Sequence, residues 1–332
     1  MIFRLDRRFD VRMLTAFLFL LMLVVAASSA FAARPATTGP TATGPAASVT
    51  AQIATEPPPG TADKFATVYG QKIHYLEAGS GPAVILLHGL GGDASNWYGN
   101  IGPLSKKYHV VVPDQIGFGR SDKPLINYRV QTLVDFLDGF LKELKIDRAS
   151  LVGNSLGGWT AAAFALAHPE KVDKLVLVDA AGFSLDKGVD PRTLNALNPA
   201  TRDGVVQVMS LVFYNKQMFS NPAIVDVLFA RKLAAGDGYT IQRFIDSVAL
   251  GQDVLDKTAK GIKQPTLIVW GREDALVPLA TGQRYNSEIP GSELLVIEKC
   301  GHVPQIEQAA QFNSALISFL AGEQVGGATS IK

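Results

Sequence analysis

A single cysteine, Cys300, among 332 residues excludes an intramolecular disulfide. Metal-ligand spacings such as CxxC or HExxH are missing too, so neither a bound metal nor another cofactor is expected. Charge is scarce. Lys, Arg, Asp and Glu together make up 18% of the chain, and the formal net charge is +1. No long basic run lies beyond the first dozen residues, which argues against nucleic acid as a partner, because phosphate binding draws on clustered Lys and Arg. What is plentiful is apolar material, at 47% of residues, so wholesale disorder is excluded and a large core can form.

The N-terminus has a different character from the rest. Arg4, Arg7, Arg8 and Arg12 precede an uncharged run from Met13 to Ala33 that ends in small residues. Ala30-Phe31-Ala32 fits the small-x-small cleavage pattern of a secretory signal, so residues 1–32 are expected to direct export to the periplasm or the medium. About 20 apolar residues also suffice to span a bilayer, and the alternative is an uncleaved anchor, the chain's one expected membrane contact. Residues 33–62 are mostly Ala, Thr, Pro and Gly, including Pro57-Pro58-Pro59, and read as a flexible linker.

From Phe65 onward, short apolar runs alternate with helix-length stretches. The runs are Phe65–Val68, Ile73–Glu77, Ala83–Leu87, Val110–Val112, Ser150–Val152, Leu175–Val178, Leu267–Val269 and Leu294–Ile297. Most of those after the first two are apolar throughout, as expected for parallel strands buried on both faces. Helices are expected over Trp97–Tyr108, Thr132–Leu144, Leu156–Ala167, Ala280–Glu288 and Ala309–Leu320. This alternation predicts an α/β fold with a mainly parallel, doubly wound, eight-stranded sheet, its core formed by residues 63–182 and 262–322. Residues 183–261 break the rhythm. They contain no convincing strand, but Val205–Phe213, Ile224–Leu233 and, less clearly, Tyr239–Leu250 carry apolar residues at helical spacing. The interval reads as an inserted helical cap, either roofing a site or simply adding packing.

Ser155 sits in Gly153-Asn154-Ser155-Leu156-Gly157, between a strand and a helix. This is the G-x-S-x-G nucleophile elbow in the context that gives it meaning. So sharp a turn strains the serine backbone and brings nearby chain close, which calls for glycine at the flanking positions. His88-Gly89-Leu90-Gly91-Gly92 follows another strand and can offer a backbone N–H to an oxyanion. The candidate donors are the amides of Leu90 and Leu156. Of the five histidines, His302 follows the last strand and a Cys300-Gly301 turn, and is the candidate base. His88 reads as a loop anchor, and Cys300 as a small buried hydrophobe. The orienting carboxylate is expected to be Asp274, after the strand Thr266–Trp270, with Asp179 its rival. Asp114 and Asp122 read as loop anchors. Trp97, Phe213 and Phe219 are candidate substrate-binding side chains.

These segments together resemble the α/β-hydrolase superfamily from about Lys64 to Leu320. His-Gly-x-Gly-Gly, Pro-Asp-x-x-Gly-x-Gly-x-Ser-Asp, Gly-Asn-Ser-x-Gly-Gly, Gly-x-x-Asp and Cys-Gly-His occur in the order of that superfamily. The resemblance implies the α/β-hydrolase fold and a Ser155–His302–Asp274 triad, since this fold uses the chain order Ser, Asp, His. The loop Gly91–Trp97 and the leader look like exported bacterial lipases and esterases, which implies hydrolysis of small-molecule or lipid carboxylic esters. A second resemblance is to the carbon–carbon bond hydrolases of aromatic degradation, from which the chain departs at Val303, usually tryptophan there, and in lacking their Gly-Pro-Gly oxyanion loop. A perhydrolase using the same triad is a further alternative. A non-catalytic binding protein on this fold would be expected to have lost a triad member, and none is lost.

Overall fold

A computed structural model describes residues 56–185 and 191–330. The expected leader, and most of the expected linker, lie outside the described residues. Among the described residues, no helix is long and apolar enough to cross a membrane.

The described residues open with a hairpin. β1 (Ala62–Val68) pairs antiparallel with β2 (Gln71–Ala78) through Tyr69 and Gly70, whose φ values of 50° and 80° make the two-residue turn that suits strand twist. β1 is mostly exposed, as befits an edge, whereas every residue of β5 (Ala149–Asn154) and β7 (Thr266–Gly271) is buried. Between and beyond these lie β3 (Ala83–Leu87), β4 (His109–Pro113), β6 (Val172–Val178) and β8 (Glu293–Ile297). All eight expected strands are present. The sheet order is β1-β2-β4-β3-β5-β6-β7-β8-β9, parallel from β4 through β8. The ninth strand, β9 (Thr329–Ser330), was not expected. It lies beyond the expected core boundary at residue 322, and its two residues pair antiparallel with β8.

Helices cover both faces. α1 (Tyr98–Ser105) and α9 (Ala309–Ala321) bury Ile101, Leu104, Phe312 and Leu316 against one face. α2 (Val130–Glu143), α3 (Leu156–Ala167) and α7 (Leu279–Glu288) cover the other. α3 is apolar nearly all round, with nine buried residues, so it runs deep inside the core. Burying an aliphatic side chain contributes roughly 1.5–3 kcal/mol. The uninterrupted apolar runs of the central strands therefore fix which strands are central.

Between β6 and β7 the chain makes no strand among its described residues. It forms α4 (Arg202–Val212), α5 (Pro222–Ala235) and α6 (Gly238–Ala249) with short 3-10 turns. Thr201 caps α4 by accepting from the Gly204 amide at 3.0 Å, and Asn221 caps α5 ahead of Pro222. The three differ in their attachment. α4 buries only Val205 and α5 only Val225, whereas α6 sinks Ile241, Phe244 and Ile245 into the core. Phe244 stacks on Phe118 at 5.9 Å and meets Tyr128 at 5.8 Å. The helix with the weakest sequence signal is thus the one anchored most deeply.

Candidate active site

The sheet order reverses at β3, which lies between β4 and β5. In an open parallel sheet, ligands bind in the crevice at the carboxyl ends of the strands beside such a switch point. The His88 loop leaves β3 there, and Ser155 leaves β5, with Leu87 paired to Gly153. Topology alone therefore brings the two motifs together.

Ser155 occupies φ 55°, ψ −117°, a strained conformation for a residue with a side chain. Its amide donates to Val178 O at 2.9 Å, and its carbonyl accepts from Ala181 at 3.2 Å and from Trp159 at 3.0 Å, so neighbouring chain fixes the turn on both sides. A Cβ on Gly153 would stand 2.2 Å from Gly157 O, and one on Gly157 2.2 Å from Leu87 O. The spacing Gly-x-Ser-x-Gly is thus required by backbone contact. Leu156 opens α3, so its amide has no partner within the helix, and no described backbone carbonyl takes the Leu90 amide. Both remain candidate oxyanion donors.

His302 Nδ1 lies 2.7 Å from Asp274 Oδ2, and both residues are buried. Asp274 Oδ1 accepts from the amides of Leu276 at 2.8 Å and Val277 at 3.0 Å, which fixes its plane. The His302 backbone is tied as well. Its carbonyl accepts from Asn154 Nδ2 at 3.0 Å, and its amide donates to Val212 O at 2.7 Å. With Nδ1–H donated to the carboxylate, Nε2 carries the lone pair, and it has no hydrogen-bond partner among the described residues. The arrangement offers an oriented imidazole beside the residue that precedes Ser155.

Asp179 also lies within this cluster. Its Oδ1 accepts from Gly271 N–H at 2.9 Å, its Oδ2 has no partner of its own there, and the ligand atoms of Asp179, Asp274 and His302 lie within 4.8 Å of one another. Burial, reinforced by the Asp274 carboxylate, pushes the Asp179 carboxyl well above its ordinary range. Asp274, not Asp179, accepts the hydrogen bond from His302. Glu273 turns away to accept from the Cys300 amide at 2.9 Å. Cys300 is fully buried, and burial raises its thiol far above the reactive range.

The loop residues follow the same accounting. His88 Nδ1 bonds Gly89 O at 2.8 Å, and its Nε2 accepts from Gln115 N–H at 3.0 Å, so both ring nitrogens are held by loop backbone. Asp114 accepts from the amides of Ala94 and Arg120, each at 2.7 Å, and from His74 Nδ1 at 2.7 Å. Burial alone would raise the Asp114 carboxyl, but these partners, with the His74 charge, outweigh it and hold it low. Asp122 accepts from the Lys72 amide at 2.7 Å.

The three candidate substrate contacts divide. Phe213 and Phe219 pair at 5.4 Å in the cap, next to the Val212 carbonyl that binds His302. Trp97 does not join them. It is fully buried against Phe312, among Ile101, Leu104 and Phe312 on the α1–α9 face, so it is a core side chain and not a pocket wall. Two residues that hold the site went unread in the sequence. Asn154 spans from β5 to the His302 carbonyl, and its signal was its place beside the nucleophile. Glu307 accepts from Gly301 N–H at 2.7 Å and from Tyr214 N–H at 2.8 Å. Burial raises its carboxyl above the ordinary value against the opposing pull of those amides.

Comparison with known proteins places this geometry. The family model described as the alpha/beta hydrolase fold matches residues 82–208 and 224–309. The 2-hydroxy-6-oxo-6-phenylhexa-2,4-dienoate hydrolase of Burkholderia cepacia is 34% identical over 298 residues, covering 80% of this chain and 99% of that protein. The meta-cleavage product hydrolase from Pseudomonas fluorescens superposes with TM-score 0.70 at 32% identity, covering 78% of this chain and 97% of that one. A membrane phospholipase A, described as a bacterial virulence factor, superposes with TM-score 0.74 at 26% identity, covering 94% of this chain and 99% of that one.

Proposed function

The chain belongs to the α/β-hydrolase family and is a hydrolase, and we propose that it cleaves carboxylic esters, lipid-like ones included, through Ser155, His302 and Asp274. The observation that carries the mechanism is the oriented imidazole. His302 Nδ1 is bound to a carboxylate itself fixed by two amides, and Nε2 is left to take a proton. In this mechanism His302 deprotonates the Ser155 hydroxyl as its oxygen attacks the ester carbonyl. The Leu90 and Leu156 amides take the oxyanion. The protonated His302 then passes its proton to the leaving alcohol, and water, deprotonated by His302, releases the acid.

Three features support an ester over a carbon–carbon bond. The membrane phospholipase A aligns over more of this chain than the meta-cleavage product hydrolase does, 94% against 78%. Val303 and the Gly91-Gly92 loop depart from the carbon–carbon hydrolase pattern. Phe213 pairs with Phe219 and follows Val212, whose carbonyl binds the His302 amide, which supports an apolar wall for an acyl chain there. We further propose export through residues 1–32, with either cleavage near Ala33 or retention as a membrane anchor.

The second reading, a carbon–carbon bond hydrolase, rests on the 34% identity to the Burkholderia cepacia enzyme across nearly its whole length. Parallel kinetics on p-nitrophenyl esters from acetyl to decanoyl and on a 2-hydroxy-6-oxo-dienoate separate the two. The ester reading expects kcat/KM to climb with acyl length, by up to about fourfold per methylene at roughly 0.8 kcal/mol each, until the pocket is full. Turnover of the dienoate with only trace ester cleavage would overturn it.

A further inference from the structure

The end of α4 is bound to the catalytic loop at three points, Val212, Tyr214 and Asn215, and the Glu307 side chain takes the last two. Val212 O accepts from the His302 amide at 2.7 Å. Glu307, at the end of the one-turn helix α8 (Pro304–Glu307), then places one carboxylate oxygen on Gly301 N–H at 2.7 Å and the other on Tyr214 N–H at 2.8 Å. The Asn215 amide also donates to it. Contact here is close enough that a Cβ on Gly301 would stand 2.5 Å from Val212 O and 2.8 Å from Tyr214 N. Glu307 thus reaches from the segment after His302 to the segment carrying Phe213, and its carboxylate belongs to neither the triad nor the oxyanion loop.

We propose that Glu307 is a positioning residue that clips the cap to the His302 loop and so sets the distance between the apolar Phe213–Phe219 wall and the reacting atoms. The physical case is one of attachment. α4 and α5 bury one side chain each, too little to hold their place on the core unaided. α6 is anchored deeply, but it lies on the far side of α5 in the chain from Phe213. Hydrogen bonds to a charged acceptor are stronger than neutral ones. A carboxylate accepting from both segments therefore supplies the register that packing does not. None of the bonds His302 makes to Asp274, Asn154 and Val212 runs through Glu307. Loss of the clip should therefore act first on how the acyl chain is held and only secondarily on the triad.

Glu307→Gln tests this in the purified full chain. The amide retains one acceptor oxygen and presents an N–H₂ where the second backbone N–H must be accepted, so one half of the clip is lost with little change in shape. Hydrogen-exchange mass spectrometry should show peptides covering residues 212–215 and 300–302 exchanging about tenfold faster or more, the loss expected for a charge-assisted bond, while α3 peptides keep their wild-type rates. On p-nitrophenyl esters, kcat/KM for the octanoyl ester should fall about tenfold further than for the acetyl ester, mainly through KM. Unchanged exchange in the 212–215 peptides, or equal losses at both chain lengths, would overturn the inference. Glu307→Asp, which keeps the charge but withdraws it by one methylene, carries the same comparison if Glu307→Gln does not fold. Only the kinetic arm rests on the ester reading. If the wild-type chain cleaves no ester, that reading fails, and the exchange arm still decides whether Glu307 clips the cap.

Discussion

Asp274→Asn set against Asp179→Asn separates two buried carboxyls within 4.8 Å of the same histidine. Asp274 uses one oxygen for the Leu276 and Val277 amides and the other for His302 Nδ1. In the asparagine variant the carbonyl oxygen keeps the two amides, which turns the N–H₂ toward His302. The imidazole must then accept at Nδ1 and carry its proton on Nε2, where it cannot receive the Ser155 proton. The wrong tautomer costs on the order of 10⁴ in kcat, or about 5.5 kcal/mol at 1.36 kcal/mol per decade. Asp179 differs because burial and the Asp274 carboxylate hold its carboxyl well above its ordinary value, which favours the protonated form. An asparagine there still accepts from Gly271 N–H and still offers a hydrogen toward Asp274. Its loss should stay within about tenfold, roughly 1.4 kcal/mol. Steady-state kinetics on one soluble ester at pH 8, with circular dichroism to verify folding, gives both numbers. A larger loss for Asp179→Asn than for Asp274→Asn would refute the reasoning and move the triad acid to the end of β6.

Other outcomes follow from the same geometry. Asp179 binds its proton more tightly folded than unfolded, so its contribution is fully present below the unfolded carboxyl range and is lost as pH rises towards the raised folded value; the Asp179→Asn variant should gain Tm relative to wild type as pH increases from 5 to 8, and a variant that loses Tm relative to wild type over that range would contradict this. Gly119 sits at φ +50° with a Cβ position 2.2 Å from Asp114 Oδ2; Gly119→Ala should cost at least about 2 kcal/mol, or roughly 4–8 °C in Tm by calorimetry, and an unchanged Tm would mean the Asp114 loop yields freely. Phe219→Ala should flatten the rise of kcat/KM with acyl length while leaving the acetyl ester within about threefold, whereas an unaltered profile would reduce the Phe213–Phe219 pair to packing.

The parts legible in the sequence were those with a short-range physical signature. Ser155 was readable because the elbow is local, its glycines dictated by contacts of Gly153 and Gly157 with backbone a few residues or one strand away. The central strands were readable because burial on both faces leaves no polar alternation to confuse. The residues that misled or stayed silent take their meaning from distant partners. Trp97 looks the same in sequence whether it lines a pocket or packs on Phe312, more than 200 positions away. The depth of α6 was not legible, because the partners of Phe244, Phe118 and Tyr128, lie in a loop and a helix entry more than 100 positions away. Asp179 and Asp274 end neighbouring parallel strands, so only the side-chain directions decide between them. β9 is too short for any period, and Glu307 gains its role only when the cap returns to the His302 loop.

The most direct test of the central claim is peptide mapping by mass spectrometry after reaction with a p-nitrophenyl alkylphosphonate, which mimics an ester but leaves a stable adduct on an activated serine. The account predicts release of one equivalent of nitrophenolate and a single phosphonate on the peptide containing Ser155, with Ser155→Ala and His302→Ala both unlabelled. A fully folded chain that takes up no phosphonate, or takes it up at Cys300 or at a serine other than Ser155, would contradict it.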